Sequence, residues 1–204
     1  MVLTPELLSP MKPRLLLHVC CAPCSPYVVA KLKEEYDVTL YFHNPNIHPK
    51  AEYENRLNEV IGWAGKEGLA IIVEDYAPEK WFDATAGLEN EPERGKRCEA
   101  CFDLRLATAA GKARELGIDV YGTVLSVSPR KDAAIINRVG ERAGDTAGVR
   151  FITADWKKKD GSKATVRMGR ELGFYRQDYC GCVYSLKDRE RRVRGVCPPN
   201  PLPI

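Results

Sequence analysis

No apolar stretch in the 204 residues approaches the roughly 20 needed to cross a bilayer. The longest, such as Leu15-Leu16-Leu17 and Val38 to Phe42, have the length of buried strands, so no membrane contact is expected. A large charge of one sign is also missing. The net charge is only +3, so any contact with nucleic acid must come from local basic patches rather than from the field of the whole molecule. There is no internal repeat, no low-complexity segment and no G-x-G-x-x-G or Walker sequence, which argues against a glycine cradle for nucleotide phosphates. Met1 to Pro13 carries Pro5, Pro10 and Pro13 but lacks the basic start, apolar core and cleavage site of a secretory signal. It reads as a loose leader on a cytoplasmic chain.

Apolar residues at 44% and charged residues at 29% are ordinary globular usage, and the length suits one α/β domain with a full core. The apolar pattern alternates between strand-like runs and helical periods. Arg14 to Val19 is expected as a first strand, followed at once by a cysteine-rich turn. Ser25-Pro26 then suits the start of a helix bearing Val28, Val29 and Leu32 on one face. Further strands are expected over Val38 to His43, Leu69 to Val73, Val120 to Leu125 and Val149 to Thr153. The helices between them are marked by Tyr53, Leu57, Val60, Ile61 and Ala64, by Cys98 to Leu116 with Leu104, Thr108 and Ala113 facing inward, and by Lys131 to Ala143. Gly87 to Arg97 reads as a loop. This order predicts an α/β fold: a parallel five-stranded sheet with helices on both faces and a site beyond the strands' C-terminal ends. The single metal-binding catalytic domain is expected over residues 14–195. A tail over residues 196–204, with four prolines from Cys197 onward, is expected to be extended.

Eight cysteines are the distinctive content, and seven of them fall into three groups: Cys20, Cys21 and Cys24; Cys98 and Cys101; Cys180 and Cys182. Cys197 stands apart and reads as incidental. In a cytoplasmic chain this pattern points to metal or redox chemistry rather than structural disulfides. One C-x-x-C suits a dithiol, half a zinc site or half a cluster site, and a helix N-terminus favours its thiolates. A four-thiolate site leaves three thiolates for a second metal with an open position. A zinc-stabilised RNA-binding module and a thiol oxidoreductase are the alternatives.

His18-Val19-Cys20-Cys21-Ala22-Pro23-Cys24-Ser25, Cys98-Glu99-Ala100-Cys101 and the stretch from Tyr175 to Ser185 that encloses Cys180-Gly181-Cys182 resemble the QueH family of cobalamin-independent epoxyqueuosine reductases. The resemblance spans roughly His18 to Ser185. It implies a nucleotide-binding-like fold of the PP-loop and HUP group, a [4Fe–4S] cluster beside one additional metal ion, expected to be iron, and an external electron donor. The implied reaction turns the epoxide of epoxyqueuosine, at the wobble position of a tRNA anticodon stem-loop, into queuosine. It further implies that Cys98 and Cys101 bind the cluster with one member each of Cys20/Cys21 and Cys180/Cys182, the other members facing the second metal with Cys24. Asp178 and Tyr179 are the candidate proton donors. His18 is read as a core histidine or a partner of a metal ligand. Trp156, Tyr175, Tyr179 and Tyr184 are candidates for base stacking. Lys157, Lys158, Lys159, Lys163, Arg167 and Arg170 are candidates for phosphate contact, with Lys187 to Arg194 as a second basic patch.

Overall fold

The computed structural model describes residues 12–195. The expected leader, apart from Lys12 and Pro13, the expected tail and Cys197 lie outside these residues. β1 (Arg14–His18) is flanked on one side by β2 (Asp37–Phe42) and β3 (Ile71–Val73), and on the other by β4 (Val120–Thr123) and β5 (Arg150–Phe151). The sheet order is β3-β2-β1-β4-β5 and every pairing is parallel. The chain therefore turns back across the sheet between β1 and β4, and the crevice at such a reversal is where α/β folds bind ligands.

Alternation along β1 divides the core. Leu15 and Leu17 pack with Val28, Val29 and Leu32 of α1 (Pro26–Leu32) and with Val60, Trp63 and Ala64 of α2 (Lys50–Lys66). Leu16 packs with Tyr41, Tyr121 and Phe151, with Ala109, Ala110 and Ala113 of α4 (Lys96–Glu115), and with Ala143 of α5 (Ala133–Ala147). Asp132 caps α5 by accepting from the backbone N–H groups of Ala134 and Ile135, and Gly148, in the left-handed region at φ 71°, ends it.

The expected strands are present but shorter at β3, β4 and β5. A 3₁₀ turn over Leu125–Val127 takes over where β4 was expected to continue, and it turns the chain into the crevice. Three helices were not placed from the pattern: α3 (Pro78–Ala84), α6 (Gly161–Glu171) and α7 (Val183–Val193). The inner stripe of α4 is also shifted from its expected line. Phe102, Arg105, Leu106, Ala109, Ala110 and Ala113 are buried, while Leu104 and Thr108 flank them. Among the described residues no helix is long and apolar enough to cross a membrane.

Candidate metal and substrate centre

The turn after β1 carries the first thiols. Cys21, Ala22, Pro23 and Cys24 wind into a 3₁₀ turn, and Ser25 Oγ closes it by donating to the Cys21 carbonyl at 2.9 Å. The sulfurs of Cys20, Cys21 and Cys24 consequently all lie within 4.8 Å of one another. Cys20 Sγ and Cys21 Sγ are 3.8 Å apart. A tetrahedral ion with metal–sulfur bonds of about 2.3 Å requires sulfurs about 3.8 Å apart, which the Cys20–Cys21 pair matches, and Cys24 lies near enough to complete a three-sulfur site. Hydrogen bonds from Cys21 and then Cys24 hold the Cys20 thiol well below its ordinary range, while that sharing pushes the other two thiols up, Cys21 to about 12.

The remaining four thiols line a second, smaller pocket of about 30 Å³: Cys98 and Cys101 from the start of α4, Cys180 and Cys182 from the loop entering α7. Burial pushes all of Cys98, Cys101 and Cys182 up, Cys98 to about 12 even though the Arg94 N–H donates to its sulfur at 3.2 Å. Gly181 makes the loop's turn. Its φ of 119° suits glycine, and an added Cβ would lie 3.1 Å from Arg56 Nη1 and 3.2 Å from Ile47. The sequence expectation drew one sulfur from each adjacent pair into each site; in the structure one tight turn carries both Cys20 and Cys21, Cys182 lines the smaller pocket, and Cys180 lines both that pocket and the cleft that the triad borders.

Between the two groups lies the main cleft, about 290 Å³, lined by Cys20, Cys21, Cys24 and Cys180. Lys131 borders both the cleft and the smaller pocket. Burial pulls its ammonium pKa down, but the nearby Cys180, Cys20 and Cys24 more than offset this, so it stays protonated. Arg130, Arg170 and Arg176, all exposed, line the same cleft.

Arg56, which the sequence pattern alone does not single out, supports this region from α2. It is 3% exposed, pairs with Glu52 at 2.7 Å, and donates to the carbonyls of Tyr179 and Cys180 at 3.3 and 3.2 Å. Its spacing four residues after Glu52 on one helix face was the visible signal, but only the fold brings Cys180 to it.

Several expected site residues take other positions. The Asp178 carboxylate pairs with Arg189 at 2.7 Å on the outer surface and does not line the cleft. Tyr179, largely buried with its ring beside Arg56, borders the cleft, but its hydroxyl donates to the His48 carbonyl at 2.5 Å. Both candidate proton donors thus have their acidic groups engaged elsewhere. Trp156 donates to the Thr123 carbonyl at 3.1 Å, and Tyr184 stacks under Arg97 at 4.3 Å, so both are packing residues. Tyr175 lies on the surface with its hydroxyl on Glu52 at 3.4 Å. Of the four stacking candidates only Tyr179 lines the cleft, joined by Phe174. Lys157 Nζ is spent on Asp155 and on the carbonyls of Ser126 and Lys131, whereas Lys158, Lys159, Lys163, Arg167 and Arg170 are exposed. His18 is fully buried, hydrogen-bonded to Thr123 Oγ1 at 2.9 Å, and burial followed by the charge of Arg105 lowers its pKa to about 3, so it is a neutral core histidine.

A doubly wound parallel sheet that gathers seven free cysteines at the C-terminal edge of its strands defines a thiol-centred α/β enzyme. The sequence profile of the family Epoxyqueuosine reductase QueH matches residues 15–188. The chain is 44% identical over 180 residues to the epoxyqueuosine reductase QueH of Histophilus somni (strain 129Pt), covering 87% of this chain and 74% of that protein. It is 42% identical over 183 residues to that of Streptococcus pyogenes serotype M1, covering 87% and 72%. To that of Thermotoga maritima it is 36% identical over 180 residues, covering 87% and 92%. The chain belongs to the QueH family of epoxyqueuosine reductases. Among solved structures, the U34-tRNA thiolase NcsA from Methanococcus maripaludis, with its [4Fe–4S] cluster, shares the fold. The TM-score is 0.56 at 11% identity, covering 90% of this chain and 66% of that one.

Proposed function

We propose that the chain reduces the epoxide of epoxyqueuosine in the anticodon of tRNA to the alkene of queuosine, with a [4Fe–4S] cluster held by Cys98, Cys101, Cys180 and Cys182 and one metal ion, iron, held by Cys20, Cys21 and Cys24. The observation that carries this reading is that Cys20, Cys21 and Cys24 line the cleft while Cys98, Cys101, Cys180 and Cys182 line the adjoining smaller pocket, with Cys180 and Lys131 common to both. The donor sets fit their groups. Four thiols, Cys101 and Cys182 buried and Cys98 and Cys180 half-buried, with Trp81 Nε1 and Arg105 Nε left without acceptors, suit an anionic cluster, and the triad's spacing suits a single ion open to the cleft. The relatives named above are reductases of this substrate, and the structural neighbour is a tRNA enzyme with a [4Fe–4S] cluster.

The overall change takes two electrons and two protons and releases the epoxide oxygen as water. The cluster and ion would supply single electrons and a Lewis-acidic position. The chain's own residues do the rest. Arg130, Arg170 and Arg176 at the cleft would hold backbone phosphates, and Phe174 and Tyr179 offer faces on which a splayed base stacks. Lys131 Nζ, held protonated, would face negative charge as it develops on the epoxide oxygen. A cleft near the lower end of the ordinary ligand range of about 300–1,000 Å³ has the size for one base with its appended ring.

The test is direct. Protein loaded anaerobically with iron and sulfide, given dithionite and tRNA carrying epoxyqueuosine, should yield nucleosides in which epoxyqueuosine has lost one oxygen. A colourless protein holding only zinc, or a metal-free protein that reduces disulfides and leaves this tRNA unchanged, would replace the proposal with the zinc-module or thiol-oxidoreductase reading.

A further inference from the structure

Arg105 is a buried charge with no ionic partner. It lies one helical turn beyond Cys101 on α4 and is 1% exposed. Nη2 donates to the neutral amide oxygen of Asn44 at 2.6 Å, Nη1 approaches Cys101 Sγ at 4.0 Å, and Nε has no acceptor. Among the described residues it makes no ion pair with a carboxylate. Asn44 is itself held in place by donating to the Val19 carbonyl at 2.9 Å, so the guanidinium is anchored at one end and directed at sulfur by the other.

A guanidinium does not escape such a site by losing its proton. Burying it without a counter-charge is costly, so an anion must come from the groups it faces. The histidines nearby are not anions, and the same positive charge helps keep both His18 and His43, already desolvated by burial, in their neutral forms. The remaining neighbours able to carry negative charge are thiols, and Cys101 is the one within reach.

We propose that Arg105 is a positioning residue that supplies the counter-charge of the metal–sulfur centre on Cys98, Cys101, Cys180 and Cys182 and, acting through Cys101, raises its reduction potential. The inference rests on the cluster reading above. When an external donor passes one electron to the centre, no bond forms or breaks and the centre gains one unit of negative charge. A fixed cation beside one ligand sulfur stabilises the reduced form more than the oxidised form. Lys131 offers a second positive charge on the cleft side, shared with Cys20 and Cys24; the charge of Arg105 also reaches Cys20, but its one sulfur contact is with Cys101.

The experiment compares the parent with Arg105→Met, Arg105→Gln and Arg105→Lys, each loaded anaerobically with iron and sulfide and titrated with dithionite under visible and EPR observation. At the parent's midpoint the Met and Gln variants should show a reduced-to-oxidised ratio at least tenfold lower, a shift of about 59 mV for a one-electron couple. Arg105→Lys, which keeps the charge, should stay near the parent. Neutral variants that hold the chromophore and share the parent's midpoint would overturn the proposal. If the neutral variants take up no cluster, urea unfolding of the iron-free proteins decides. Losing an unpaired charge should leave them at least as stable as the parent, and a marked loss of stability would overturn the proposal in favour of a purely structural tie to Asn44. A parent that itself forms no chromophore overturns the cluster reading and this inference together, and is distinguished by its lack of colour.

Discussion

Replacing Arg56 by Met removes a charge that ties α2 to the loop carrying Cys180 and Cys182 while keeping most of the side chain's apolar volume. The guanidinium is 3% exposed and its partner Glu52 has a side chain only 12% exposed, so solvent barely screens their 2.7 Å contact. Removing one partner of a buried pair costs about 3–5 kcal/mol, because the other is left charged and unpaired. The carbonyls of Tyr179 and Cys180 lose their donor as well, and the Tyr179 ring loses the cation 5.4 Å from its centre. A domain of this size is stable by roughly 5–15 kcal/mol, so a loss of about 3–5 kcal/mol is readily measured. Urea unfolding of the reduced, iron-free protein should show it, and amide exchange should accelerate in the Cys180 to Ser185 segment before the sheet is affected. Adding Glu52→Gln to Arg56→Met should recover part of the loss, since no stranded carboxylate remains. An Arg56→Met protein within about 1 kcal/mol of the parent, with unchanged exchange in that segment, would refute the argument that a buried pair holds the loop.

Alanine at Cys98, Cys101, Cys180 or Cys182 should abolish the visible absorption of iron-loaded protein, whereas alanine at Cys20, Cys21 or Cys24 should leave most of it and lower iron content by the share of one ion; equal loss at all seven refutes the four-and-three division. Burial, reinforced by Arg105, holds His43 at about 4 in the folded protein, below its ordinary 6.5. The unfolded chain therefore binds the extra proton as pH falls. Stability from this site is complete above about 6.5 and is lost toward 4, so His43→Phe should remove about 2 kcal/mol of the decline in unfolding free energy between pH 7 and 5. Equal slopes for the two proteins would show that His43 does not titrate differently on folding. Arg170→Ala combined with Arg176→Ala should weaken binding of anticodon stem-loop RNA and flatten the log–log salt dependence by about 0.7 for each phosphate no longer neutralised; an unchanged slope would place the RNA path elsewhere.

Local pattern carried the architecture of this protein. Leu15 to Leu17 bracketed by turn residues, the three- and four-residue steps of α2 and the strand–helix alternation define a parallel sheet, because a strand buried on both faces must be uniformly apolar and a crossover helix must be amphipathic. The spacing of the cysteines similarly marked all seven thiols that the fold gathers along the cleft and the smaller pocket beside it. Their partition was not legible. Adjacent residues such as Cys20 and Cys21 carry no label for which way each sulfur faces; the 3₁₀ turn that brings Cys20, Cys21 and Cys24 together, and the turn at Gly181 with its φ of 119°, are set by the tertiary structure. Asp178 and Tyr179 looked free in sequence because Arg189 and the His48 carbonyl, which occupy them, come from elsewhere in the fold. Arg105 was hidden for the opposite reason: charge on a helix ordinarily means a solvated face, and only the docking of α4 against the sheet buried it beside Cys101. Periodicity is a property of neighbours along the chain, whereas burial, ion pairing and the sharing of sulfurs depend on segments up to a hundred residues and more apart, which only the tertiary structure brings together.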